Sequence, residues 1–82
     1  MRVSELVPLS LLRGGQMARV SQLLGKPDQV HRLEELGLRG GAEIVMLQPG
    51  SPCIIRLAGQ RLCFRADELT SVLVELLPGH AG

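Results

Sequence analysis

Cys53-Ile54-Ile55-Arg56-Leu57-Ala58-Gly59-Gln60-Arg61-Leu62-Cys63-Phe64-Arg65 decides the fold class. Two short runs flank Ala58-Gly59, and both alternate between apolar and polar residues. A period of two marks a strand with one face buried. A two-residue turn sets Leu57 opposite Gln60, Ile55 opposite Leu62 and Cys53 opposite Phe64. The apolar residues of those pairs then share one face, while Arg56, Arg61 and Arg65 share the other. A slip of one residue would exchange the faces, so turn length and pattern have to agree, and here they do.

The run before this hairpin, Ala42 to Gln48, reads as a further strand. With Glu43 in water, Ile44 and Met46 face the core, and Val45 and Leu47 face out. Val45, Ile54 and Cys63 then form an outward apolar row. Contiguous exposed apolar surface marks an interaction site. The competing reading is that the N-terminal leucines Leu6, Leu9, Leu11 and Leu12 lie over it. The sequence leaves both open.

Further back, Asp28 to Leu36 reads as a short helix with Asp28 as its N-cap. Val30, Leu33 and Leu36 recur every third residue and make one apolar stripe. Gly37 is placed to end the helix in a left-handed conformation, and Gly40-Gly41 to bend the chain into the next strand. Such a helix would not persist alone and has to dock on the sheet. Leu33, Leu36, Gly37 and Gly41 are therefore read as architecture.

The remaining segments follow the same logic. Ser4 to Leu12 is read as extended chain with at most one helical turn after Pro8. Gln16 to Leu23 is a strand with Ala18 and Val20 on one face. Ala66 to Thr70 is a single turn, Val72 to Leu76 the last strand, and residues 77–82 a frayed tail. The expectation is one mainly β domain over 1–82, with its core over 5–76. It comprises five antiparallel strands curled into a small barrel and one helix closing an end.

Composition narrows the chemistry. The 82 residues carry nine basic and eight acidic side chains without blocks, for a net charge of +1. Nothing there draws nucleic acid or anionic lipid from a distance. Phe64 is the only aromatic residue, so the core is aliphatic and base stacking lacks its platform. Cys53 and Cys63 point to opposite faces and should neither bridge nor chelate. No run reaches the ~20 apolar residues of a membrane span, and no signal peptide is read. The expectation is a soluble cytoplasmic protein.

No nucleophile–base pair is in evidence, and Gly37-Leu38-Arg39-Gly40-Gly41 lacks the Lys and Ser/Thr of a phosphate loop. No enzyme is expected. His31 and Glu35, four apart on the helix with Glu34 beside them, are the metal candidates. The plainer reading is a solvated His–Glu pair. Arg56, Arg61 and Arg65 form a basic strip, either merely solvated or turned to an acidic patch of a protein partner.

Three motifs resemble a known family. They are Leu6-x-x-Leu9 leading to Gly15-Gln16-Met17-Ala18-Arg19-Val20, then Arg32-Leu33-x-Glu35-Leu36-Gly37-Leu38-x-x-Gly41, then Leu62-Cys63-Phe64-Arg65 with Val72-Leu73-Val74. In this order they are similar to the ferrous iron transport protein A (FeoA) family, over residues 5–76. Gly40 stands where that family often has Pro, and Phe64 where Leu is usual. The resemblance implies an SH3-like barrel. It implies a non-catalytic accessory role in bacterial ferrous iron uptake, on the cytoplasmic GTP-binding domain of a FeoB-like membrane transporter. It implies no cofactor, and leaves loose divalent-metal binding and homo-oligomers open. The same module closes iron-dependent repressors, so the alternative is a free-standing regulatory domain that binds metal or a peptide.

Overall fold

The computed structural model describes residues 5–78. Six strands and one helix follow in order: β1 (Leu6–Pro8), β2 (Met17–Leu23), α1 (Pro27–Glu35), β3 (Glu43–Gln48), β4 (Cys53–Leu57), β5 (Gln60–Phe64) and β6 (Val72–Leu76). Single 3₁₀ turns occupy Leu9–Leu11 and Ala66–Glu68. All strands join one antiparallel sheet in the order β1-β6-β2-β3-β4-β5.

The hairpin has the expected register. Leu57 faces Gln60, Ile55 faces Leu62 and Cys53 faces Phe64. Ala58 and Gly59 both have positive φ, 53° and 81°, which is the twist that a type I′ turn gives a two-residue hairpin. Ile44, Met46, Cys53, Ile55, Leu57 and Phe64 point into one core with Ala18, Val20, Val72 and Val74. The Cys53 thiol meets the Met46 sulfur at 3.6 Å. Burial pushes the Cys53 thiol pKa up, with Cys63 a lesser contributor.

The strand count corrects the expectation from five to six. Leu6–Pro8 pairs with β6 rather than running as plain extended chain. Pro8 is tolerated because β1 is an edge and leaves its outer side without a ladder to feed. The one helical turn expected after Pro8 is present at Leu9–Leu11. Leu9 and Leu12 enter the core, and Leu11 is exposed. Two of the four N-terminal leucines therefore complete the interior, and the reading that all four cover the outer row fails.

The helix also starts one residue early, at Pro27, and ends at Glu35. Lys26 takes the N-cap position without a side-chain bond, so Asp28 is not the cap. Pro27 explains this: its φ suits the first helical position, and it has no N–H to leave orphaned there. At the other end Gly37 has φ 106°. The Leu38 N–H donates to the Leu33 carbonyl at 3.0 Å and the Gly37 N–H to the Glu34 carbonyl at 3.0 Å. These two bonds make a Schellman stop. Leu33 and Leu38 are buried together in the core, whereas Leu36 is 42% exposed. Leu36 thus leaves the expected stripe, because the reversal at Gly37 brings Leu38 into the place it would fill.

Two bulges bend the sheet, between Val20 and Gln22 in β2 and between Met46 and Gln48 in β3. A bulge raises local twist and helps a narrow sheet curl around its core. Leu77, expected in the frayed tail, donates its N–H to the Met17 carbonyl at 3.0 Å. Residues 79–82, with His80, lie outside the described residues.

Candidate outer-face docking site

Among the described residues no charged or polar side chain is buried. Any chemistry of recognition is therefore on the surface, and the outer face of β2–β5 is where sequence and geometry concentrate it. Pairing places Met17 opposite Val45, Val45 opposite Arg56 and Arg56 opposite Arg61. The neighbouring row sets Ile54 opposite Cys63. Val45, Leu47 and Ile54 are half-buried and Cys63 is exposed.

The structure places five of the six partner-binding candidates on two adjacent rows and corrects the single apolar row expected, because Val45 pairs with Arg56 while Ile54 pairs with Gln48 beyond the bulge in β3. These are Val45, Ile54 and Cys63 as apolar members, with Arg56 and Arg61 among them. Arg65 follows directly on β5 and is exposed. Two members were missed in the sequence reading. Met17 lies beside Val45, and Leu77 beside Met17. The signal for Met17 was present, since it falls on the same side of β2 as Arg19 in a period of two.

Charge is unevenly satisfied. Arg19 Nη2 meets Glu43 Oε2 at 3.2 Å across β2 and β3. Arg32 Nη1 meets Glu68 Oε2 at 3.0 Å. Arg39 Nε donates to the Glu34 carbonyl at 3.2 Å. The side chains of Arg56 and Arg61, directly opposed, have no such partner among the described residues. Phe64, the one aromatic, is buried, so the strip offers no ring for a nucleobase.

The other candidates stay apart from this face. His31 Nε2 and Glu35 Oε2 are 3.8 Å apart and well exposed, above an open depression that Glu34 and Arg39 also line. No group of three or more His, Cys, Asp or Glu side chains could hold a metal ion among the described residues. The pair stands at i, i+4 spacing on α1. Leu33 is buried in the core, and Gly37 forms the helix stop described above. Gly41 has φ 93° and donates its N–H to the Val20 carbonyl at 2.7 Å, fastening the start of β3 to β2. A cleft of about 50 Å³ lies between α1 and the Ala66–Glu68 turn, spanned by the Arg32–Glu68 ion pair. No helix among the described residues is long and apolar enough to cross a membrane.

Comparison with known proteins follows the same lines. The FeoA domain family matches residues 7–76. A crystal structure of an iron uptake regulatory protein (FeoA) is 32% identical, with a TM-score of 0.83, covering 89% of this chain and 99% of that one. The zinc complex of Stenotrophomonas maltophilia FeoA, described as a prokaryotic SH3 domain protein, is also 32% identical. Its TM-score is 0.72, over 83% of this chain and 88% of that one. T. acidophilum IdeR is 19% identical with a TM-score of 0.82, covering 94% of this chain and 37% of that one, a likeness of fold alone. A search of curated proteins finds no match. With the family matched over nearly its whole length and the SH3-like sheet in place, the chain belongs to the FeoA family of small proteins linked to ferrous iron transport.

Proposed function

We propose that this protein is a non-catalytic accessory factor of bacterial ferrous iron uptake. It works in the cytoplasm by docking its outer sheet face on the GTP-binding domain of the membrane iron transporter. Binding one conformation of that domain better than another shifts its balance by the difference in affinity. The S. maltophilia relative is described as a candidate activating factor of bacterial ferrous iron transport, which supports the direction. The observation that carries the reading is the outer row itself. Met17, Val45, Leu47 and Ile54 are half-buried apolar residues there, with two arginines among them, while Leu9 and Leu12 are buried in the core instead.

Titration of the purified GTP-binding domain, empty and with GDP or a GTP analogue, tests this. Saturable binding in at least one nucleotide state is expected, and Val45→Asp should weaken it at least about tenfold by placing a charge in the contact. Absence of binding in every state overturns the reading. The second reading, a free-standing regulatory module, has the fold likeness to a manganese-dependent transcriptional repressor in its favour. Calorimetry with manganous ion decides it: stoichiometric heat that His31→Ala abolishes would favour metal regulation over docking.

A further inference from the structure

Among the described residues β5 is an edge strand, hydrogen-bonded to β4 and to no other strand. In a two-residue hairpin the pair next to the turn exchanges hydrogen bonds, and so does every second pair beyond it. Gln60, Leu62 and Phe64 therefore turn their backbone groups toward β4. Arg61 and Cys63 turn theirs toward the open side. The next residue closes the edge: the Arg65 N–H donates to Glu68 Oε1 at 2.9 Å, and its carbonyl accepts from the Glu68 N–H at 3.0 Å. The open segment is thus short and has a fixed end. Beside it runs a shallow groove of about 370 Å³ lined by Ser51, Pro52, Cys63, Phe64, Arg65 and Glu68.

The side chains over this edge are equally selective. Arg61 and Cys63 stand on the outer face, with Arg56 opposite Arg61 and Ile54 opposite Cys63. Like charges directly opposed across strands are destabilising. A third charge of opposite sign relieves that repulsion, and no acidic side chain of the described residues does so for Arg56 and Arg61. A second copy of this chain fits poorly, because pairing β5 with itself gathers the arginines of both copies on one face. Single-stranded nucleic acid finds charge but no exposed ring.

We propose that β5 takes up an acidic extended segment of a protein partner as an added strand. Its backbone bonds the open N–H and C=O groups of Arg61 and Cys63. Carboxylates four residues apart on its outer face reach Arg61 and Arg65. The apolar residue midway between them covers Cys63 and Ile54. Main-chain bonds supply the affinity, and alternate side chains supply the choice of sequence. The inference rests on the docking reading above only for the identity of the partner that carries the segment.

The probe is a fluorescein-labelled peptide, Glu-Thr-Val-Thr-Glu, titrated into the isotope-labelled full chain. Its lysine counterpart Lys-Thr-Val-Thr-Lys, a version N-methylated at the bonds facing β5, and oligo-dT serve as comparisons. The glutamate peptide should bind and shift amide resonances centred on Arg61 to Phe64. N-methylation should remove binding while leaving the charge intact. Arg56→Glu with Arg61→Glu should weaken the glutamate peptide at least about tenfold and admit the lysine peptide. Should the double variant lose its circular dichroism spectrum, Arg61→Gln replaces it, with a smaller loss expected. Shifts centred elsewhere, insensitivity to N-methylation, equal binding of oligo-dT, or a dimer through β5 would each overturn the proposal. Peptide binding without capture of the GTP-binding domain would sink the docking reading and leave this one standing. Capture that survives the arginine reversal and is lost in Val45→Asp would do the opposite.

Discussion

The turn after α1 and the turn after β4 both require a left-handed backbone, and they meet the requirement differently. At Gly37 the chain uses the residue that carries no Cβ penalty, with φ 106°. Both orphan carbonyls are bonded and Leu38 is sealed in the core. At Ala58 the chain accepts a side chain at φ 53°, in a turn that favours Asn or Gly at that place. The first turn is tuned to the fold. The second is left short of its best residue, and its two strands carry the opposed arginines. The residues that stop the helix and the residues proposed for docking are therefore different sets.

Gly37→Val presses hardest on that contrast. An added Cβ would sit 2.9 Å from Leu57 Cδ2, below real contact distances, and the backbone stays left-handed. Handedness costs about 1–2 kcal/mol and overpacking about as much again. A loss of about 3 kcal/mol in urea denaturation is expected, close to unfolding for so small a domain. Gly41→Ala separates the two causes, because its Cβ would meet nothing within 4 Å and only φ 93° opposes it. A loss of about 1–2 kcal/mol is expected there. Equal losses at the two sites would show that the Leu57 contact adds nothing.

Ala58→Asn tests the other turn, with the sign reversed. Asn tolerates the left-handed region and suits a type I′ turn before Gly59, so the variant should gain about 1 kcal/mol, or roughly 4–8 °C in Tm for a domain of this size. No gain would mean that the strands, rather than the turn, hold Ala58 in place.

How much of this was legible depended on how local the determining contacts are. The β4–β5 register was fully readable, because two turn residues and ten flanking ones fix it. The outward placement of Val45, Ile54 and Cys63 followed from the same period of two. The helix end at Gly37 was readable for the same reason, since its partners lie within five residues. β1 was not, because three residues ending in Pro8 carry too little pattern to declare a strand before β6 is known to lie beside it. Leu77 joined the outer face only through a bond to Met17, sixty residues away, whereas Met17 could have been read from the period of two in β2. Leu36 misled because its spacing is right and its place lies at the reversal, where helical period no longer governs direction.

The inner side of the hairpin gives a pH-dependent test. Burial holds the Cys53 thiol pKa above its value in the unfolded chain. The folded protein therefore keeps a proton that the unfolded chain releases first, and stability falls as pH rises above the ordinary thiol range of about 8.5. Cys53→Ala should start from lower stability and lose less of it between neutral pH and pH ~10. Parallel pH profiles by denaturant melts would show that Cys53 is not protected by the core in solution.

The smallest effect bears directly on the outer side. Arg61→Thr removes the like-charge opposition to Arg56 and places a strand-favouring residue on β5. If the arginines were held for the fold, the variant would be destabilised. If they are held for a partner, the variant should gain about 0.5 kcal/mol at low salt, and the gain should shrink as salt screens the repulsion. Urea midpoints of wild type and Arg61→Thr at two ionic strengths decide between these outcomes. A loss of stability would make Arg61 part of the architecture, like Gly37. A salt-sensitive gain would mean that the hairpin carries charge its own stability does not need, leaving those arginines free to meet a ligand.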